Sequence, residues 1–126
     1  MTSKDIVIWL QERTGFSILS AEVLEDLAQN MQEQVLLPNQ RLVLEDTQPE
    51  GVYILKHGRL EGDRITQTGS IWALSFLPGT IIHLQELLFG QLAQRTIVAL
   101  SESQLWFIPA EKFRELLEKY PEIAPA

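Results

Sequence analysis

The chain has 126 residues, 45% of them hydrophobic and 21% charged. That suffices for one buried core, not two, and is too apolar and too weakly charged for a disordered tail. With no cysteine and only two histidines, disulfides, zinc–thiolate sites, thiol nucleophiles and a His-rich metal site are excluded. A net charge of −7, with ten basic residues scattered singly, leaves no basic face to displace counterions from phosphates, so direct nucleic-acid binding is not expected.

The first apolar run, Ile6 to Leu10, is too short for a signal-peptide core or a membrane span, so the chain is expected to be soluble and cytoplasmic. Residues 3–13 read as a short amphipathic helix with Ile6, Trp9 and Leu10 on one stripe, ready to pack on this chain or on another. "FSILSAEVLEDLAQNM" starts a second helix. Ser20 is placed to cap its first N–H groups, Glu22 lies in the first turn, and Leu24, Leu27, Ala28 and Met31 recur at helical spacing.

From residue 34 the texture changes to short apolar runs broken by "PNQ", "DTQPEG", "KHG", "TQTG" and "PG". The turns fall about eight to twelve residues apart, as in an antiparallel sandwich or barrel. Strand-forming residues fill the runs: Val35, Leu37, Leu42, Leu44, Val52, Tyr53, Ile54, Ile71 and Trp72. Trp72, Phe76 and Trp106 are expected in the core, and "RTIVALSESQLWFIP" adds two strands joined at "SES". In "AEKFRELLEKYP", Phe113, Leu116, Leu117 and Tyr120 share one helical face, and Pro121 ends the helix.

Catalysis finds little support. The carboxylates of "LED" (44–46) and "EGDR" (61–64) read as solvated turns, and no Ser-His-Asp set, P-loop or His-x-x-x-His spacing occurs. His57 is expected in an exposed turn, and His83 to be a hydrogen-bonded structural residue. The expectation is therefore one non-enzymatic domain, 1–126, mainly β with flanking helices. It comprises a helical entry (1–33), a β-roll or jelly roll of about eight strands (34–108) and a C-terminal helix (109–120).

The order of elements and several segments resemble the cyclic-nucleotide-binding domain of the catabolite-activator and protein-kinase-regulatory-subunit type. "FSILSAEVLEDLA" is similar to the entry helix. "LPNQRLVLEDTQPEGVYILKHGRLE" resembles the first strands, with Tyr53 and Gly58 at an aromatic and a turn-glycine position. "LPGTI" resembles the turn into the phosphate-binding cassette, and "ALSESQLWFIPAEKFRELLEKYPEI" the closing strands and helix. The resemblance spans residues 16–124 and implies a regulatory or sensor module, part of a larger signalling or transport protein or a stand-alone remnant. In that family the terminal helix runs on into a hinge helix that dimerises or carries an output domain, so a homodimer or an attached output domain is a partner to consider.

The family's cassette reads phenylalanine-glycine-glutamate, a short apolar helix, then an arginine and a small residue. Glycine lets the backbone approach a cyclic phosphate, the arginine grips it, and the glutamate accepts from the ribose hydroxyl. Counted without a gap from Gly79 to "TIVAL", His83 takes the glycine position, Leu84 the glutamate and Ala93 the arginine, and every gripping group is lost. Slipped by two residues, Gln85 replaces the glycine, Glu86 is the sugar-binding acid, Arg95 the phosphate-binding base and Thr96 the small residue. Asp46 falls where the family has the glycine of a glycine-aspartate turn.

A degenerate cassette is the reading these departures favour, with no cofactor or metal and a small anionic ligand or nucleotide as the class of ligand. The candidate ligand residues are Glu86, Arg95, Thr96, Gln85 and His83. Two alternatives stand: a genuine cAMP or cGMP receptor using Glu86 and Arg95, and a protein–protein interaction domain whose pocket is filled by Leu84, Leu87, Leu88 and Phe89.

Overall fold

Thr2 and Asp5 begin the first helix by a reciprocal cap: the Thr2 hydroxyl accepts the Asp5 N–H and the Asp5 carboxylate accepts the Thr2 N–H, both at 3.2 Å. The computed structural model describes residues 2–65, 67–69 and 71–124. Helix α1 is Ser3–Arg13, a 3₁₀ turn follows at Gly15–Ile18, and α2 is Ala21–Gln29. Ser20 caps α2 by accepting the Val23 N–H at 3.3 Å, and Val23, Leu24, Leu27 and Ala28 are buried. Met31 lies beyond the helix, half-buried against its core.

The strands are β1 Gln32–Leu36, β2 Arg41–Val43, β3 Gly51–His57, β4 Leu60–Ile65, β5 Ile71–Phe76, β6 Ile81–Ile82, β7 Thr96–Ala99 and β8 Ser103–Pro109. Among the described residues they form two antiparallel sheets, ordered β1-β8-β3-β6 and β2-β7-β4-β5. This is a jelly roll flanked by helices, as the pattern of runs and turns implies. The sheet begins at Gln32 rather than at residue 34.

Alternation along two strands divides the core. Val52, Ile54, Trp106 and Ile108 join one cluster with the helices, whereas Tyr53, Leu55, Leu105 and Phe107 join a second cluster between the sheets. The sheet β1-β8-β3-β6 is thus covered on both faces. Trp9 packs at the margin of the first cluster and Phe76 at the margin of the second, so Phe76 is half-buried instead of central.

Helix α3, Leu84–Phe89, links β6 towards β7, and α4, Ala110–Lys119, closes the chain before a 3₁₀ turn at Pro121–Ile123. Phe113, Leu116, Tyr120 and Ile123 are buried. Lys119 Nζ, at 3.0 Å, and the Tyr120 hydroxyl both donate to Asp26 Oδ2, tying α4 to α2.

Several expectations need correction. Leu37 and Leu44 follow strands instead of lying within them, and both are exposed, because β1 and β2 end where the chain turns. "EGDR" is not a turn: residues 61–64 run through β4, whose ladders with β5 and β7 supply partners on both sides and override the turn preference of Gly62 and Asp63. The side chain of Trp72 and part of the "TQTG" turn lie outside the described residues. His57 is exposed as expected, but it is the last residue of β3, paired with Gln104, and the turn begins at Gly58, at φ +103°.

Candidate ligand site

Strand β6 is held to β3 through the pairs Tyr53–Ile82 and Ile54–Ile81 and delivers the chain to α3. The residue between β6 and α3 is His83, at φ +73°, a left-handed conformation that glycine adopts most easily. Its side chain is 7% exposed, meets the Tyr53 ring edge-on at 6.2 Å, and leaves Nδ1 buried without a hydrogen-bond partner among the described residues. Burial pushes the imidazole below its ordinary pKa of 6.5, partly opposed by the charge of Glu86. Burial, with a contribution from Glu50, pushes the Tyr53 hydroxyl up to about 12.

A cavity of about 370 Å³ opens between the start of α3 and the sheet that carries β4, β5 and β7. Its walls are mostly apolar: Leu74 and Phe76 from β5, Ile81 and Ile82 from β6, Leu84 from α3 and Ile97 from β7. The polar groups are His83, Gln85, Glu86, Gln94 and Arg95. Its size and few polar groups fit a small-molecule site.

Arg95 reaches across β4, where Nη1 donates to the Gly62 carbonyl at 3.2 Å. A Cβ on Gly62 would stand 2.7 Å from Phe76 Cε2 and 3.1 Å from Arg95 Cδ, so the bare glycine lets both side chains pass. Four candidates, His83, Gln85, Glu86 and Arg95, therefore line one cavity. Thr96 does not line it; its hydroxyl accepts the Glu45 N–H at 3.0 Å and braces the loop after β2.

The gapless positions also have defined places. Ala93 is 1% exposed and bridges that loop, its N–H donating to Thr47 O and its carbonyl accepting from Asp46 N–H, both at 2.8 Å. Asp46 is left-handed, at φ +65°. Asp46 and Arg64 border a separate polar notch of about 300 Å³. Of the residues expected to plug the pocket, Leu84 lines it, Leu87 packs into the helix-side cluster and Phe89 is 71% exposed. The cavity stays open.

The model of the cyclic nucleotide-binding domain matches residues 33–120. The chain belongs to this family. Cyclic-nucleotide-binding domains are regulatory, ligand-sensing modules and not catalysts. Among solved structures, the regulatory domain of Toxoplasma gondii protein kinase A with cAMP is similar at TM-score 0.80 and 21% identity, over 90% of this chain and 44% of that one. The catabolite activator protein of Thermus thermophilus is similar at TM-score 0.77 and 18% identity, over 86% and 52%. The regulatory subunit of a cAMP-independent protein kinase A from Trypanosoma cruzi, bound to guanosine, is similar at TM-score 0.84 and 16% identity, over 96% and 44%. The chain thus spans about half the length of these structures or less. No curated protein matches it by sequence. Within this cyclic-nucleotide-binding domain no helix of the described residues is long and apolar enough to cross a membrane.

The apolar wall of Leu74, Phe76 and Ile97, and the crossing of Arg95 over Gly62, were not readable from the sequence. Both depend on the pairing of β4 with β7, segments more than thirty residues apart in the chain.

Proposed function

We propose that the chain is a cytoplasmic, non-enzymatic sensor module of a larger signalling or transport protein, whose cavity holds a small ligand without the family's cyclic-phosphate grip. One observation carries this reading: the left-handed residue that opens α3 is His83, whose imidazole is buried where the resemblance expects a bare glycine. In the same gapless register Leu84 and Ala93 replace the acid and the base, and neither can bond a hydroxyl or a phosphate. The depressed pKa of His83 keeps the ring uncharged at neutral pH, so it does not stand in for a lost arginine. The Trypanosoma cruzi subunit gives support by analogy, since its guanosine has no phosphate.

Packing offers a route for the signal. Leu87 of α3 shares the helix-side cluster with Phe113 and Leu116 of α4. A ligand that shifts α3 presses on α4, and movement of the segment after Pro109 is the output we assign.

One observation favours the receptor reading instead: Glu86 and Arg95 line the same cavity. Calorimetry with cAMP, cGMP and guanosine decides between them. The proposal expects no heat from either cyclic nucleotide at about 1 mM. Binding that is lost in Arg95→Ala and kept in Arg64→Ala, whose side chain borders the separate notch, establishes the receptor and ends the proposal.

A further inference from the structure

Strand β5 ends its sheet. Among the described residues its strand partner is β4, in unbroken register from Leu60–Phe76 to Ile65–Ile71, and the sheet order leaves its far side without a strand. Alternate N–H and C=O groups along that side therefore present an open template. Most of its described side chains are open as well. Ile71 is 66% exposed and Leu74 47%, Ala73 and Ser75 are exposed, and Leu77 just beyond is 52% exposed.

Exposed edges are ordinarily blunted by lysine, proline, a bulge or a covering loop. Here the strand reads Ile-Trp-Ala-Leu-Ser-Phe. No Asp, Glu, Lys or Arg occurs from residue 65 to residue 85, in a chain where 21% of residues carry charge.

We propose that β5 is a self-association edge, on which a second copy of the chain lays its own β5 antiparallel across a two-fold axis. An antiparallel strand is complementary to itself under that symmetry. Charge selects the occupant: two copies at −7 each repel wherever carboxylates face one another, and the uncharged 65–85 segment lets them meet without such contacts. The same lack of charge gives an acidic or basic peptide nothing to pair with. Six residues on each side bury less than the roughly 1,600 Å² of a standard interface, so the dimer is weak and concentration-dependent. Leu74 and Phe76 also belong to the cavity wall, which places the two cavities on either side of the axis.

Sedimentation of the 126-residue chain from about 1 μM to about 1 mM, a span that brackets weak association, tests the proposal. The expected result is a shift from monomer to dimer. Ala73→Glu should weaken the dimer at least tenfold, since like charges then face across the pair. An equimolar mixture of Ala73→Glu with Ala73→Lys should restore it, which requires both variants to be folded. A chain that stays monomeric throughout, leaving the edge to another protein, overturns the proposal. So does a dimer indifferent to Ala73→Glu, or a mixture that stays apart.

Discussion

Strands β3 and β5 are both apolar runs, yet β3 is buried on both faces, whereas Ile71, Ala73, Leu74 and Ser75 of β5 are exposed. Residues of β3 alternate between the helix-side cluster, which takes Val52 and Ile54, and the inter-sheet cluster, which takes Tyr53 and Leu55. Strand β5 has a comparable composition but, among the described residues, one neighbouring strand. Position in the sheet order, not hydrophobicity, decides which run becomes core. The run left at the margin is then free to line a cavity and to meet a partner.

The sharpest way to break this comparison is to add one methyl group to each region. In β3, a Cβ on Gly51 would lie 2.1 Å from the Ile108 carbonyl oxygen, a backbone atom that cannot yield without parting the central ladder of β3 and β8. On β4, beside β5, the Cβ of Gly62→Ala meets only side-chain atoms of Phe76 and Arg95, which can turn aside. Urea unfolding should show a loss of about 4 kcal/mol or more for Gly51→Ala and about 1 kcal/mol for Gly62→Ala. Equal losses would mean that the outer sheet is as rigid as the covered one.

Truncation sharpens the same contrast. Leu105 of β8 is 0% exposed between the sheets, and Leu105→Ala should cost about 2–5 kcal/mol. Ile71 is 66% exposed, and Ile71→Ala, measured at dilute concentration, should change stability by no more than about 0.5 kcal/mol. A large loss at Ile71 would show that β5 is covered in the isolated chain.

These contrasts also mark what a sequence can disclose. Helices α2 and α4 were legible because their apolar spacing, the Ser20 cap and the Pro121 stop are local signals. Inside or outside was not legible for the strands: a run buried on both faces shows no alternation, so Val52–Leu55 and Ile71–Phe76 look alike. Leu37 and Leu44 misled for the same reason, each continuing an apolar run past the end of its strand. At the cavity, Glu86 and Arg95 could be named from the cassette pattern, while Thr96 proved to brace a loop. The left-handed backbone of Asp46 and His83 was signalled only by their falling at glycine positions of the resembled family, since neither is glycine and such conformations in other residues are uncommon though tolerated best by Asn, Asp and His.

Acid reads the enclosed region alone, because β5 has no titratable side chain. Folding buries the His83 ring and lowers its pKa, so the native state prefers the neutral imidazole. Well above 6.5 the ring is neutral folded or unfolded, and no penalty arises. As pH falls through 6.5 the unfolded chain takes up the proton first, and stability drops until the depressed native pKa is reached, after which the penalty is constant. One group can change stability by no more than about 1.4 kcal/mol per pH unit. Replacing it by a side chain without a titration, His83→Gln, should leave the response of the carboxylates and remove this part. Urea midpoints measured from about pH 7.5 to about pH 5 should therefore fall more steeply for the native chain than for His83→Gln. Removing the neighbouring carboxylate, Glu86→Gln, should deepen the fall, since that charge is what holds the native pKa up. Parallel curves for native and His83→Gln would mean that the ring takes a proton as readily folded as unfolded. The buried imidazole at the head of α3 could then no longer be the group that closes the site to a cyclic phosphate.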